Sequence, residues 1–197
     1  QRQMCIRDSD KGLSVVYEGT FTNDTASDFS VQLTAAQTAG ADVVFLPIYY
    51  QPASVIFSQA NAMGYAPTFF GVDGMDGILS MPGFDTALAE GLMLMTPFSA
   101  DDEKNADFVK AYKDAYDETP NQFAADAYDG VRAVAEALKE AGLGVDADPT
   151  EVAEKLPKAM LKITVDGLTG KLTWNDKGQV QKDPTAYVIT DGKYVQA

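Results

Sequence analysis

The strongest constraint on the fold is an alternation between continuously apolar segments and segments with helical spacing. Residues 43–48 and 67–72 are apolar runs rich in β-branched and aromatic residues. Unbroken runs of this kind are typical of parallel strands that are covered on both faces, and residues 43–48 are expected to form a central strand. Between them, a segment that begins near Pro52 places its apolar residues at helical spacing and ends before Gly64. The pattern predicts a doubly wound α/β sheet with right-handed crossover connections.

The same alternation extends toward the N-terminus. Leu13–Tyr17 is a short apolar run, which predicts a buried strand. Ser27 or Asp28 can cap a following helix, and Gly40 can end it. One face of this helix is apolar and is expected to pack on the sheet: Phe29, Leu33 and Ala36.

The second half of the chain predicts longer helices and then small antiparallel elements. Residues 91–96 predict a strand, and helices are expected over 103–117 and 122–141. One stripe of the longer helix is expected to be buried: Tyr128, Val131, Ala135 and Leu138. Asp148 precedes a proline and a glutamate in the pattern of a capped helix start. Within residues 171–192, apolar runs alternate with turn residues, the last turn being Asp191-Gly192, which predicts antiparallel strands.

Composition disfavours several classes of function. The 197-residue chain has a formal net charge of −14, no histidine, and a single cysteine, Cys5. Nucleic-acid binding requires clusters of Lys and Arg, so we expect no nucleic-acid partner. Without histidine the commonest general base and transition-metal ligand are absent, which disfavours an enzyme and a metal or other cofactor. The sequence has no run of about 18 apolar residues, so it predicts no membrane span.

Two pairs of residues directly follow the two apolar runs of the predicted sheet. Tyr49 and Tyr50 follow the first run, and Asp73 and Gly74 follow the second. Ligands of open α/β sheets bind beyond the carboxyl ends of the strands, so these residues are candidates for a binding site. A tyrosine offers both a ring and a hydroxyl, and a carboxylate can hold a ligand ammonium group. The alternatives are aromatic residues that cover the core and a solvated turn aspartate.

Other candidate sites are weaker. Asp73 and Asp76 in GVDGMDG lack the spacing of a calcium-binding EF-hand loop, so a metal is disfavoured there. Residues 71–77 match neither the Rossmann nor the Walker phosphate loop. Phe123 lies just before a helix face, where an aromatic residue belongs either to the core or to a site.

Three stretches, in this order, resemble a known family. DFSVQLTAAQTAGADVVFLPIYYQPASVIFSQANAMGYAPTFFGVDG resembles the second lobe of the Leu/Ile/Val-type periplasmic solute-binding proteins of ABC importers. NADFVKAYKDAYDETPNQFAADAYDGVRAVAEAL resembles the return into their first lobe, and TGKLTWNDKGQVQKDPTAYVITDGKYV resembles their closing segment. The resemblance covers residues 12–196 and implies the type I periplasmic-binding-protein fold, an α/β fold of two doubly wound lobes. The chain would hold most of the second lobe and the C-terminal part of the first.

The resemblance also implies roles for individual residues. Tyr49 matches a tyrosine that lines the ligand pocket, and Asp73 matches the acidic residue that binds the ligand ammonium. The best-known members have glutamate at the position of Asp73. Phe123 matches an aromatic residue that helps to enclose the ligand side chain, while Tyr50 and Gly74 are secondary candidates. The residues that bind the ligand carboxylate in this family would lie upstream of the chain.

The function implied by the resemblance is solute binding without catalysis. The chain would belong to the extracytoplasmic substrate-binding component of an ABC importer, and would bind an aliphatic, branched-chain-type amino acid or a related small solute. We expect a monomer in the periplasm, or a lipoprotein on the surface of a Gram-positive cell. Its lobes would close on the ligand by a hinge near residues 96–99, and the permease would recognise the closed form. The alternative is the ligand-sensing domain of a LacI-like regulator or receptor.

These expectations divide the chain into four segments. Residues 1–11 are predicted to be a non-native leader, because QRQMCIRDS lacks any helical or strand period and MCIRDS resembles the read-through of a sequencing adapter. The alternative is a frayed natural terminus. Residues 12–98 are predicted to form the second lobe. Residues 99–160 would supply return helices of the first lobe, and 161–197 the closing strands and inter-lobe segment. The signal peptide of the protein is expected to be lost from this chain.

Overall fold

The computed structural model describes residue 12 and residues 14–183 and 185–197. The predicted leader, residues 1–11, lies outside them. The chain forms two compact units. Unit 1 is Gln1–Leu94 with Val188–Val195, and unit 2 is Met95–Tyr187 with Gln196–Ala197. The first change of unit thus falls between Leu94 and Met95, a little before the boundary expected after residue 98.

Parallel strands form the framework of unit 1, as the alternating pattern predicts. The described strands of this sheet follow the order β1, β2, β3, β7, β8. Strand β1 is parallel to β2, with Val43 opposite Thr68 and Leu46 opposite Gly71, and β2 is parallel to β3. The strand bounds are Val43–Leu46 for β1, Thr68–Gly71 for β2, Met93–Met95 for β3, Ala186–Thr190 for β7 and Lys193–Gln196 for β8.

One helix precedes β1 and a second connects β1 to β2. Helix α1 spans Ser30–Thr38, and its predicted apolar face is confirmed because Phe29, Leu33 and Ala36 are all buried. Helix α2 spans Tyr50–Ala62, so it begins two residues before Pro52. The residues that α2 buries are Ala53, Ser54, Ile56, Phe57 and Ala60. Both helices are followed by a glycine with positive φ, Gly40 and Gly64, as the sequence predicts.

Two predictions about unit 1 are wrong. Residues 14–17 form no strand, Leu13 lies outside the described residues, and Val15 and Val16 are exposed. Strand β1 is the first strand in the described order and not a central one. Val43 on β1 is therefore 54% exposed. An apolar run predicts a covered strand only if the neighbouring strand is present, and none of the described residues pairs with the outer edge of β1.

Unit 2 contains three further helices. Helix α3 spans Ala106–Tyr116, α4 spans Gln122–Glu140 and α5 spans Pro149–Met160. The capped start predicted at Asp148 is confirmed, because its side chain accepts a hydrogen bond from the backbone N–H of Thr150. Short 3-10 turns occupy Asn23–Thr25, Asp73–Met75, Ile78–Ser80, Thr86–Ala89 and Glu103–Asn105 in the two units.

The predicted buried stripe of α4 is wrong. Tyr128 is 47% exposed and Val131 is 72% exposed. The buried residues lie on a neighbouring face of the helix: Gln122, Ala125, Asp129, Ala133 and Ala137. Alanines at this spacing permit close packing against α5 and the hairpin that follows, whereas a hydropathy pattern favours the larger side chains. The bulkier face of the helix is left exposed.

A small antiparallel sheet completes unit 2, and its antiparallel character is as predicted. Strands β4 (Val165–Gly167), β5 (Gly170–Trp174) and β6 (Val180–Gln181) pair in that order. The turn after β5 is held by Asn175, whose side-chain oxygen accepts hydrogen bonds from the backbone N–H groups of Lys177 and Gln179.

Candidate functional site

A cleft opens in unit 1 at the carboxyl ends of β1 and β2. Its volume is about 500 Å³. The residues that line it are Phe21, Asn23, Ala26, Pro47, Ile48, Tyr49, Gln51, Pro52, Val72, Asp73 and Gly74. Three of the predicted site residues, Tyr49, Asp73 and Gly74, therefore lie on the same cleft. This is the position in which open α/β sheets bind their ligands.

The cleft residues are placed by the ends of the two strands. Tyr49 follows β1 and is the N-cap of α2, with 61% of its surface exposed. Asp73 follows β2 and begins a 3-10 turn. The first turn of α2 contains no acidic residue, and the Tyr49 side chain does not cap it. The cleft thus combines the N-terminal end of a helix, a carboxylate and an accessible aromatic ring, on walls that also carry the side-chain amides of Asn23 and Gln51.

Gly74 brings the two strand ends together. A Cβ atom at this position would come within 2.5 Å of the Ile48 carbonyl oxygen and 3.3 Å of the Tyr49 Cα. Only a glycine allows the turn after β2 to approach the backbone after β1 this closely. Gly74 is buried, so we infer that its close packing against the backbone of Ile48 and Tyr49 sets the distance between Asp73 and Tyr49.

Tyr50 and Asp76 are placed differently from their sequence neighbours. Tyr50 does not line the cleft, and its ring packs against Gly77, whose φ is +106°. Asp76 is only 3% exposed, and its Oδ1 accepts a hydrogen bond from the backbone N–H of Gly77. Asp73 faces the cleft and Asp76 the interior, although both stand in the same glycine-rich sequence.

One wall of the cleft was missed by sequence reasoning. The loop before α1 contributes Phe21, Asn23 and Ala26. This loop follows the segment that sequence reasoning assigned to a strand, and it carries no strand-end signal of its own. The only local signal was the Thr22-to-Thr25 capping pattern, which marks a helical turn and not a binding wall.

Unit 1, in which the cleft lies, carries a strongly negative charge. Residues 14–94 and 188–195 contain nine carboxylates and one basic residue, Lys193. Several of these carboxylates cap backbone groups. The backbone N–H of Ser30 donates to Asp28 and lowers the pKa of that carboxyl below 3.8. Such a surface attracts a cationic group to Asp73 and repels a free anion.

The third predicted ligand residue, Phe123, belongs to unit 2. It is the second residue of α4 and is 37% exposed. Asn121 caps this helix by accepting hydrogen bonds from the backbone N–H groups of Phe123 and Ala124. The preceding residue, Gln122, is buried and accepts a hydrogen bond from the Thr96 hydroxyl at 3.0 Å. The position of Phe123 is thus fixed by a capped and internally bonded helix start.

No group of three or more acidic, cysteine or histidine side chains that could hold a metal ion occurs among residues 14–183 and 185–197. Over the same residues, no helix combines the length and the hydropathy that crossing a membrane requires.

Comparisons with known proteins place this cleft in a family context. The chain is 30% identical over 189 residues to Leu/Ile/Val-binding protein homolog 1 of Brucella abortus, a match that covers 91% of this chain and 47% of that protein. It is 28% identical over 173 residues to the Leu/Ile/Val/Thr-binding protein of Salmonella typhimurium, which covers 86% and 44%. The chain therefore spans about half the length of these curated relatives.

The fold is shared with solved structures of the same kind. The branched-chain amino acid transporter substrate binding protein LivJ of Streptococcus pneumoniae, in complex with isoleucine, superposes with a TM-score of 0.74 at 25% identity. That match covers 99% of this chain and 56% of LivJ. The predicted fold class is confirmed. The family model of the periplasmic binding proteins matches residues 9–193. The chain belongs to the periplasmic binding protein family, with Leu/Ile/Val-binding proteins among its relatives.

Proposed function

We propose that the protein is the extracytoplasmic substrate-binding component of an ABC importer and that it binds an aliphatic α-amino acid of the branched-chain type or a related small solute. The observation that carries the proposal is the shared cleft of Tyr49 and Asp73 in a member of this family. Relatives named for binding leucine, isoleucine and valine support the choice of ligand class.

The chemistry of the cleft suits an α-amino acid. Asp73 supplies a carboxylate for the ligand ammonium, and no lysine or arginine occurs between residues 12 and 103 to compete for it in sequence. A charge-assisted hydrogen bond gains strength when water is excluded around it. Tyr49 adds an apolar ring for a hydrocarbon side chain and a hydroxyl for a polar atom. Phe123 stays a proposed ligand residue on the basis of the family resemblance.

The proposed mechanism makes and breaks no covalent bond. The ligand favours a closed form by contacting both lobes, and the membrane permease recognises that form. The hinge is proposed at residues 96–99. They directly follow the change of unit between Leu94 and Met95. Thr96 and Ser99 are buried, and the Thr96 hydroxyl donates to Gln122.

The location and state of the protein follow from the same proposal. We expect it outside the cytoplasm, in the periplasm or, in a Gram-positive host, on the cell surface through a lipid anchor upstream of this chain. We expect a monomer without turnover of its ligand. Cell fractionation and size-exclusion chromatography of the protein from its complete gene test these points, and recovery in the cytoplasm would contradict the proposal.

The decisive experiment is calorimetric titration of the protein, produced from its complete gene, with leucine, isoleucine and valine. Asp73→Asn should weaken binding about 30-fold or more. Losing one member of a hydrogen-bonded charge pair costs about 2–5 kcal/mol, and about 1.4 kcal/mol is a factor of ten. Stability without ligand should barely change.

The matched control is Glu18→Gln, which removes one carboxylate at an exposed position outside the cleft. Asp76 is unsuitable as a control because its side chain is buried. Equal affinity of the wild type and Asp73→Asn would remove Asp73 from the site. Binding of sugars alone would contradict the amino acid proposal and favour a LacI-like sensor.

A further inference from the structure

The loop before α1 forms a wall of the cleft on which Asn23 is the polar side chain. Phe21 and Ala26 on the same loop present apolar surface. Asn23 is exposed, and within the described residues its side chain makes no hydrogen bond. Its amide can both donate and accept, so it is available to a ligand atom of either kind.

The loop is fixed at its C-terminal end by α2. The side chain of Gln59 accepts a hydrogen bond from the backbone N–H of Phe29 at 2.7 Å and donates to the carbonyl of Ser27 at 3.4 Å. Phe29 is buried, and its ring meets the edge of the Phe21 ring at a centroid distance of 5.1 Å. The apolar part of the wall therefore rests on the core of unit 1.

The loop is also fixed around Asn23 itself. Gln32 of α1 donates a side-chain hydrogen bond to the carbonyl of Thr20 at 3.1 Å. Thr22 and Thr25 bracket the 3-10 turn Asn23–Thr25, and the hydroxyl of Thr25 accepts from the backbone N–H of Thr22 at 2.9 Å. A polar side chain on an ordered turn loses little further entropy when it binds.

Gln51 also lines the cleft and also carries an amide. It lies in the first turn of α2, and its longer side chain has one more rotatable bond than that of Asn23. Fixing it on a ligand costs more side-chain entropy. Asn23 is thus the better-ordered amide on the cleft.

We propose that Asn23 is a specificity-determining residue that hydrogen-bonds a polar atom on the side chain of the bound amino acid. The inference rests on the proposed amino acid function. It goes beyond that function by naming the ligand feature that the site selects, which is a polar atom on the side chain. A hydroxyl both donates and accepts, so it matches the amide of Asn23. Threonine is therefore bound in preference to valine, which has nearly the same shape but leaves the amide unpaired.

The test is calorimetric titration of the protein from its complete gene with threonine, valine and leucine. Asn23→Leu should weaken threonine binding about five-fold and leave valine binding unchanged or stronger, since one hydrogen bond is lost. Asn23→Ser, a smaller change, should keep part of the preference for threonine. Asn61→Leu, at an exposed position of α2 outside the cleft, is the matched control and should change neither affinity.

The possible results distinguish a failure of the role of Asn23 from a failure of the proposed amino acid function. A wild type that binds valine as tightly as threonine overturns the role of Asn23 and leaves the amino acid function in place. The same holds if Asn23→Leu and Asn23→Ser weaken both ligands equally or neither. A wild type that binds no α-amino acid overturns the proposed function and this inference together.

Discussion

The buried carboxylate of Asp129 offers the sharpest test of how unit 2 is held together. Asp129 lies on α4 and is 1% exposed. Its Oδ1 accepts from the backbone N–H of Leu168 at 2.9 Å. Its Oδ2 accepts from the backbone N–H of Thr169 at 2.9 Å and from the Thr169 hydroxyl at 2.8 Å. One side chain therefore holds the turn between β4 and β5 against the helix.

The cost of removing this carboxylate follows from those three bonds. Asp129→Ala leaves two backbone N–H groups and one hydroxyl without an acceptor, and Thr169 is 3% exposed, so water does not readily replace it. Each buried donor left unsatisfied costs about 1–3 kcal/mol. We expect Asp129→Ala to lower the free energy of unfolding by about 3–5 kcal/mol, the range for breaking a buried charged network.

Urea denaturation of the protein from its complete gene, followed by circular dichroism, measures this loss. Asp126→Ala is the control from the same helix, since its side chain is 43% exposed and makes only a 3.4 Å ion pair with Lys182. An exposed pair of this kind contributes about 0–1 kcal/mol. If Asp129→Ala and Asp126→Ala shift the denaturation midpoint equally, the turn is not held by Asp129.

Two further predictions concern backbone approach and pH. Gly74→Ala should lower the thermal unfolding midpoint and weaken amino acid binding, because its Cβ would meet the Ile48 carbonyl. Gly144→Ala is the matched reference, because Gly144 has open space around it and, like Gly74, has no positive φ. Unchanged binding by Gly74→Ala would contradict the packing role. The hydrogen bond from the backbone N–H of Thr150 lowers the pKa of Asp148 below 3.8. The Asp148 carboxylate therefore stabilises α5 above pH 3.8, and this stabilisation is lost as the pH falls through the lowered pKa. The stability difference between the wild type and Asp148→Ala should therefore close in acid, and a difference that persists at lower pH would contradict this reasoning.

Much of the fold could be predicted because its signals are local. The helix starts at Asp148 and before Ser30 depend on capping residues within three positions. The turn at Asp191 and Gly192 needs positive φ at both residues, which an Asp-Gly pair tolerates. The predicted ends of two strands were sufficient to predict that Tyr49 and Asp73 lie on one cleft.

The failures share a physical cause, which is dependence on a partner distant in sequence. Whether β1 is central or at an edge depends on which strands lie beside it and not on its own residues. The face that α4 buries is set by α5 and the hairpin, which select small residues such as Ala133. The wall at Asn23 is ordered by side chains of α1 and α2, including Gln59, which is 36 positions away in sequence. A local sequence pattern does not indicate a contact between residues so far apart in the chain.

The pair Asp73 and Asp76 shows the limit of sequence reasoning within a single site. Each aspartate precedes a glycine, and only Asp73 directly follows the apolar run, but nothing in the sequence predicts that Asp76 is buried. The structure separates them by backbone conformation. Asp73 begins the 3-10 turn at the end of β2, whereas Asp76 ends it in an extended conformation with φ −64° and ψ 133°. Gly77 then takes φ +106° and leaves room for the Tyr50 ring. The turn thus leaves one carboxylate on the cleft and buries the other. We therefore expect a charge change at Asp76 to lower stability, and we predict that the same change at Asp73 weakens ligand binding.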